Sequence, residues 1–123
     1  MIHGIGVDVV SIPRIAQALS RHGERFARRV FTERERQYCE RRRASAESYA
    51  ARFAAKEATI KTLGGSSGLR WRDMEVARGQ RGAPSLVLHG RAAELARARG
   101  IERWHLSLAH DAQTAIAFVV AES

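Results

Sequence analysis

The sequence predicts an α+β fold, an antiparallel sheet packed against helices. Three observations carry that reading. The chain opens on a run rich in β-branched residues, "IHGIGVDVV". Two further pairs of short strand-like runs lie in its second half, each pair joined by a brief turn. Stretches with helical caps and periodicity stand between them. Consecutive strands joined by short turns pair antiparallel, and segregated helices then cover one side of the sheet.

Residues 2–10 read as the first strand, because β-branched residues dominate. Ile5, Val7 and Val9 alternate on one face; Gly4, Gly6 and Asp8 fall on the other. Pro13 suits the first turn of a helix whose buried side is Ile12, Ile15, Ala16 and Leu19. Arg14 and Arg21 share its solvent side, and Arg25 and Arg28 follow after Gly23. "TERE" at 32–35 is a capping box that starts a helix running to about Arg43. Ser45 can cap the next helix, 46–63, which Gly64 ends. "GGSSG" is a loop. Residues 71–78 and 84–89 read as strands around a turn at "GQRGAP". A short helix spans 90–99. Residues 103–109 and 114–120 form a hairpin with its turn near "HDAQ".

A length of 123 residues predicts a single domain, 1–123, with one core. No apolar run reaches the roughly 20 residues of a membrane helix. The N-terminus lacks a basic region and a cleavage site, and Cys39 is the only cysteine, so a cytoplasmic protein without disulfides is expected. The net charge of +8 favours an anionic partner. On charge alone a basic nucleic-acid-binding module is an alternative, supported by the arginine runs at 28–29 and 41–43. The aromatic-interleaved and helix-turn-helix patterns of such modules are missing.

Of the 21 basic residues only Lys56 and Lys61 are lysine, and both sit in "ARFAAKEATIKTLGG", 51–65. At 100° per residue, Tyr49, Phe53, Ile60 and Leu63 form an apolar stripe with Lys56 in its middle and Glu57 at its edge. Glu57 and Lys61 are helical neighbours, on the side that carries Ala50 and Ala54. A surface ion pair of that spacing is common and is worth about 0.3–0.5 kcal/mol. Charges against an apolar stripe are costlier, unless paired, metal-bound or at a ligand cleft. Asp8 is a second anomaly, a poor strand former among glycines. It reads either as a solvated strand face or as a carboxylate with open space in front of it. Together Asp8 and Glu57 would suit a hard cation such as Mg²⁺, which takes one or two carboxylates and fills its other positions with water and phosphate. "GGSSG" follows a helix and is not a phosphate loop, "GIG" lacks a dinucleotide fingerprint's third glycine, and no Cys/His cluster has zinc spacing. His3, His22, His89 and His105 read as ordinary.

Four stretches, taken together, resemble one family: "GIGVDVVSIPRI" at 4–15, "FTERE" at 31–35, "RFAAKEATIKTLG" at 52–64 and "HLSLAHD" at 105–111. They are similar to the small, single-domain 4′-phosphopantetheinyl transferases, the holo-acyl-carrier-protein synthases, over nearly the whole chain. The resemblance implies Mg²⁺-dependent transfer of the phosphopantetheine arm of coenzyme A to a serine of an apo acyl carrier protein, in fatty-acid or polyketide synthesis. Adenosine 3′,5′-bisphosphate is the implied second product. It assigns Asp8 and Glu57 to the metal and Lys61 to the transferring phosphate. Glu57, or a water held by it and the metal, is the implied base. Arg52 and His110 match positions that help bind coenzyme A, with Lys61. Arg14, Arg21, Arg25 and Arg28 would receive the acidic carrier. A homotrimer with active sites between subunits is implied as well. Two departures stand out: Ser107-Leu108-Ala109-His110 where the family often has Ser-x-Ser-His, and Gly82-Ala83-Pro84 where many members have Gly-Lys-Pro.

Overall fold

A computed structural model describes residues 1–65, 68–78 and 82–123. Parts of the "GGSSG" loop and of the "GQRGAP" turn lie outside the described residues. β1 (Ile2–Ser11) leads into α1 (Ile12–Val30), α2 (Glu33–Glu40) and α3 (Ser45–Thr62). A 3-10 turn (Trp71–Asp73) precedes β2 (Met74–Arg78) and β3 (Pro84–Leu88). α4 (Gly90–Ala98) and the hairpin β4 (Arg103–His110) and β5 (Thr114–Glu122) complete the chain. The strands form two antiparallel sheets, β1-β5-β4 and the β2-β3 hairpin. Pairing of β1 with β5 runs from Ile2↔Glu122 to Ser11↔Thr114 and brings the two chain ends together.

The helix signals act as expected, with two exceptions. Ser11 caps α1 through its hydroxyl, which accepts from the Arg14 amide, and Pro13 sits in the first turn. Thr32 and Glu35 form the reciprocal capping box of α2. α2 ends at Glu40 rather than near Arg43. Ser45 lies inside α3: the cap position is Ala44, which makes no side-chain cap bond. α1 is kinked at Gly23, whose φ of 52° and ψ of −132° belong to a region that only glycine enters readily. Among the described residues, no helix is long and apolar enough to cross a membrane.

α3 is the central element. Ala50, Ala54, Ala55 and Ala58 are fully buried, so β1 and β5 approach its backbone closely. Gly6 completes that contact, because a Cβ there would lie 2.1 Å from the Ala58 carbonyl oxygen. The glycine face of β1 therefore packs against the helix. The face carrying Ile5, Val7 and Val9 points outward, with Ile5 and Val9 each 60% exposed. The core lies between α3 and the sheet, and Phe31, Tyr49 and Ile15 extend it under α1.

Candidate active site

The contact between Gly6 and Ala58 carries Asp8, two residues along β1, toward the exposed edge of α3. There the Lys61 ammonium donates to Asp8 Oδ1 at 3.0 Å and to the Val7 carbonyl at 3.0 Å. The pairing anticipated between Glu57 and Lys61 is replaced by this cross-element contact. Glu57 remains close: partial burial pushes its carboxyl upward, the Asp8 charge adds to the rise, and Lys61 opposes it. One ammonium thus serves two carboxylates, and the site has an excess of negative charge. Among the described residues no group of three or more His, Cys, Asp or Glu clusters for a metal. A hard dication needs only one or two carboxylates, so Asp8 and Glu57 fit it, and the Lys61 ammonium stands against Asp8 and the Val7 carbonyl as a cation would.

Lys56 is fully buried behind this edge. Its ammonium donates to Glu35 Oε1 at 2.7 Å and to the carbonyls of Trp71 and Met74. Glu35 also accepts from the amides of Thr32 and Val76, both at 2.9 Å. Burial pulls the Lys56 pKa down, and Glu35 opposes that pull. The pair ties α3 to α2, to the 3-10 turn and to β2. Glu75 extends the network: it accepts from the Thr32 hydroxyl at 2.6 Å and lies 3.0 Å from His89 Nε2. From sequence, Glu35 reads only as part of the capping box and His89 as ordinary, while Glu75 carries no reading. A charge inside an apolar strand, the signal that marks Asp8, was available for Glu75.

Arg52 and His110 meet in a different place, a cavity of about 620 Å³ between α3, the α2–α3 link, β2 and β4. Arg41, Arg42, Arg43 and Arg78 also line it, with Glu47 as its acidic residue. Glu47 lies 3.7 Å from His110 Nδ1. Arg52 is 1% exposed, and among the described residues its buried Nε has no hydrogen-bond partner. A guanidinium left with an unused donor beside so many cations is arranged for an anion. Pro84 lines the same cavity. Arg14, Arg21, Arg25 and Arg28 are all exposed along α1, two on each side of the Gly23 kink.

A two-carboxylate edge with a lysine and, apart from it, an arginine-lined cavity suit a protein that handles a polyanionic substrate. The model of the 4′-phosphopantetheinyl transferase superfamily matches residues 4–119, and the chain belongs to that superfamily. Holo-[acyl-carrier-protein] synthase of Koribacter versatilis is 46% identical over 124 residues, covering 99% of each chain. The crystal structure of holo-[acyl-carrier-protein] synthase from Neisseria meningitidis superposes with a TM-score of 0.88 at 35% identity, covering 100% of both chains. That of the Helicobacter pylori enzyme in complex with coenzyme A gives 0.84 at 32% identity, covering 96% of this chain and 99% of the other. The chain is an enzyme that transfers the 4′-phosphopantetheine group from coenzyme A to an acyl carrier protein.

Proposed function

We propose that Asp8, Glu57 and Lys61 form the transfer centre, with Mg²⁺ held by the two carboxylates. The observation that carries this reading is the meeting of Lys61 and Asp8 at 3.0 Å beside a Glu57 carboxyl pushed upward by burial and by the Asp8 charge. A Mg²⁺ ion bound there supplies Lewis-acid stabilisation of charge on the pyrophosphate. Lys61 binds a non-bridging oxygen of the phosphoryl group in transfer. Its compact ammonium suits a crowded phosphorus better than a planar guanidinium does. The carrier serine oxygen attacks the phosphorus bearing the pantetheine arm, and its proton passes to Glu57 or to a water that Glu57 holds. The bond to the adenosine 3′,5′-bisphosphate oxygen breaks. Little covalent work falls to the protein, so positioning and charge stabilisation dominate.

Arg52 and His110 bind the nucleotide phosphates within the basic cavity, and Arg14, Arg21, Arg25 and Arg28 receive the acidic carrier. None of Asp8, Glu57 and Lys61 lines that cavity. A homotrimer whose active sites lie between subunits reconciles the separation, since a neighbour's cavity can face the carboxylates. The outward face of β1 supports the same reading. Val7 pairs with Phe118 and Val9 with Ile116, which places four exposed apolar residues side by side. Light scattering that returns a monomer at working concentration contradicts the trimer. The reaction serves fatty-acid or polyketide synthesis in the cytoplasm. The test of the chemistry is a mass assay: apo carrier protein gains the mass of phosphopantetheine with coenzyme A and Mg²⁺, and gains none when EDTA removes the metal. Undiminished transfer in EDTA overturns the metal assignment.

A further inference from the structure

We infer that Tyr38 is the positioning residue that gathers the guanidiniums of Arg42, Arg52 and Arg78 into a single anion-binding array. The inference rests on the reading that the basic cavity binds the phosphates of coenzyme A. The three guanidiniums come from three parts of the fold: the link after α2, the body of α3 and the end of β2. Their carbons lie 5.2, 4.2 and 5.2 Å, in that order, from the centroid of one ring, that of Tyr38. Three like charges at such range repel each other in the unliganded protein, and the negative face of an aromatic ring offsets part of that repulsion.

Tyr38 also occupies a singular place among the hollows of this region. It lines the large cavity together with Arg42, Arg52 and Arg78. It lines a second hollow with Arg34, Arg41 and Arg42. It lines a third with Arg34, Arg52 and Arg78, and is common to all three. Arg52 gains most from the ring. It is buried, it spends one nitrogen on the Ser48 carbonyl at 3.3 Å, and its Nε has no partner among the described residues. The ring holds this guanidinium in place before any anion arrives, which lowers the ordering cost of binding. Tyr38 thus acts through the arginines and on the binding of substrate.

The test compares Tyr38→Leu with Tyr38→Phe, using the full chain. Binding is measured by calorimetry in metal-free buffer with two probes, adenosine 3′,5′-bisphosphate and inorganic pyrophosphate. In Tyr38→Leu, affinity for both probes falls about tenfold and the KM for coenzyme A rises by a similar factor, while kcat changes less. Tyr38→Phe keeps the ring and restores affinity to within about twofold of the wild type. Unchanged pyrophosphate binding in Tyr38→Leu overturns the proposal, because the ring then serves only the nucleoside. A Phe variant as weak as the Leu variant also overturns it. If Tyr38→Leu does not fold, the Tyr38 ring signals of the wild-type protein are followed by NMR: they shift on adding pyrophosphate, and an absence of shift overturns the proposal. A wild type that binds pyrophosphate with this Tyr38 dependence but does not bind coenzyme A removes the substrate reading and leaves the array standing.

Discussion

Gly6 stands against Ala58 so closely that a Cβ at position 6 would lie 2.1 Å from the Ala58 carbonyl oxygen and 2.4 Å from the Thr62 hydroxyl. This contact sets the distance between the strand that carries Asp8 and the helix that carries Glu57 and Lys61. Replacing Gly6 by Ala pushes β1 away from α3. The expected outcome is a loss of about 1–3 kcal/mol of stability, seen as a melting temperature lowered by roughly 5 °C or more. Transfer activity falls further than stability explains, by at least about tenfold, because the carboxylates separate. Thermal melts and initial rates on the same preparation check both.

Lys56 and Glu35 form a fully buried ion pair at 2.7 Å. Lys56→Met leaves a buried carboxylate without its cation and is expected to cost about 3–5 kcal/mol. Adding Glu35→Gln neutralises that carboxylate, but its single oxygen serves only one of the two amides, Thr32 bonding Oε1 and Val76 Oε2. The double variant loses less than the sum of the two single variants. Denaturant unfolding of the two single variants and the double measures the coupling, and additive losses contradict the pairing.

Glu75 carries a pH dependence. Burial alone would raise its carboxyl, but the Thr32 hydroxyl, His89 and Arg34 outweigh burial and hold it below 4.5. A depressed carboxyl contributes stability above its unfolded value, and that contribution is lost as the pH falls through the folded one. Wild-type stability therefore declines below about pH 4.5 more steeply than that of Glu75→Gln. Melts between neutral and acid pH give the comparison, and parallel curves contradict it.

Cys39 is fully buried, and burial pushes its thiol up to about 12. The thiolate is the reactive form, so the native protein resists alkylation at pH 8. Complete labelling appears only after unfolding, as followed by intact mass. Rapid labelling of the native protein contradicts the burial.

Much of this architecture is legible in the sequence, because it depends on local signals. The Thr32–Glu35 capping box, the Pro13 helix start and the hairpin turn near 110–113 all use residues adjacent in the chain. Asp8 and Glu57 stand out because each breaks a local pattern. Their convergence is a long-range fact, fixed by Gly6 against Ala58, and no spacing reveals it. The role of Lys56 is hidden for the same reason, since its partners Glu35, Trp71 and Met74 come from three other segments. The outward orientation of Ile5, Val7 and Val9 was unreadable too: alternation shows that a strand has two faces, while packing decides which one the helix covers.

Lys61 is expected to resist conservative exchange. Lys61→Arg keeps the charge but replaces a compact donor by a wide fork. Transfer is predicted to fall about tenfold or more with the melting temperature nearly unchanged, because the side chain is 55% exposed. An Arg variant with wild-type rates contradicts the phosphate-binding role.

The central claim is that Glu57 and Asp8 together make the transfer centre. Its most direct test is the rate at which Glu57→Gln adds phosphopantetheine mass to apo carrier protein at saturating coenzyme A and Mg²⁺. Removing the charge while keeping the shape is predicted to lower that rate by at least about a hundredfold, with melting temperature and binding of adenosine 3′,5′-bisphosphate retained. A folded Glu57→Gln protein that transfers at the wild-type rate contradicts the claim.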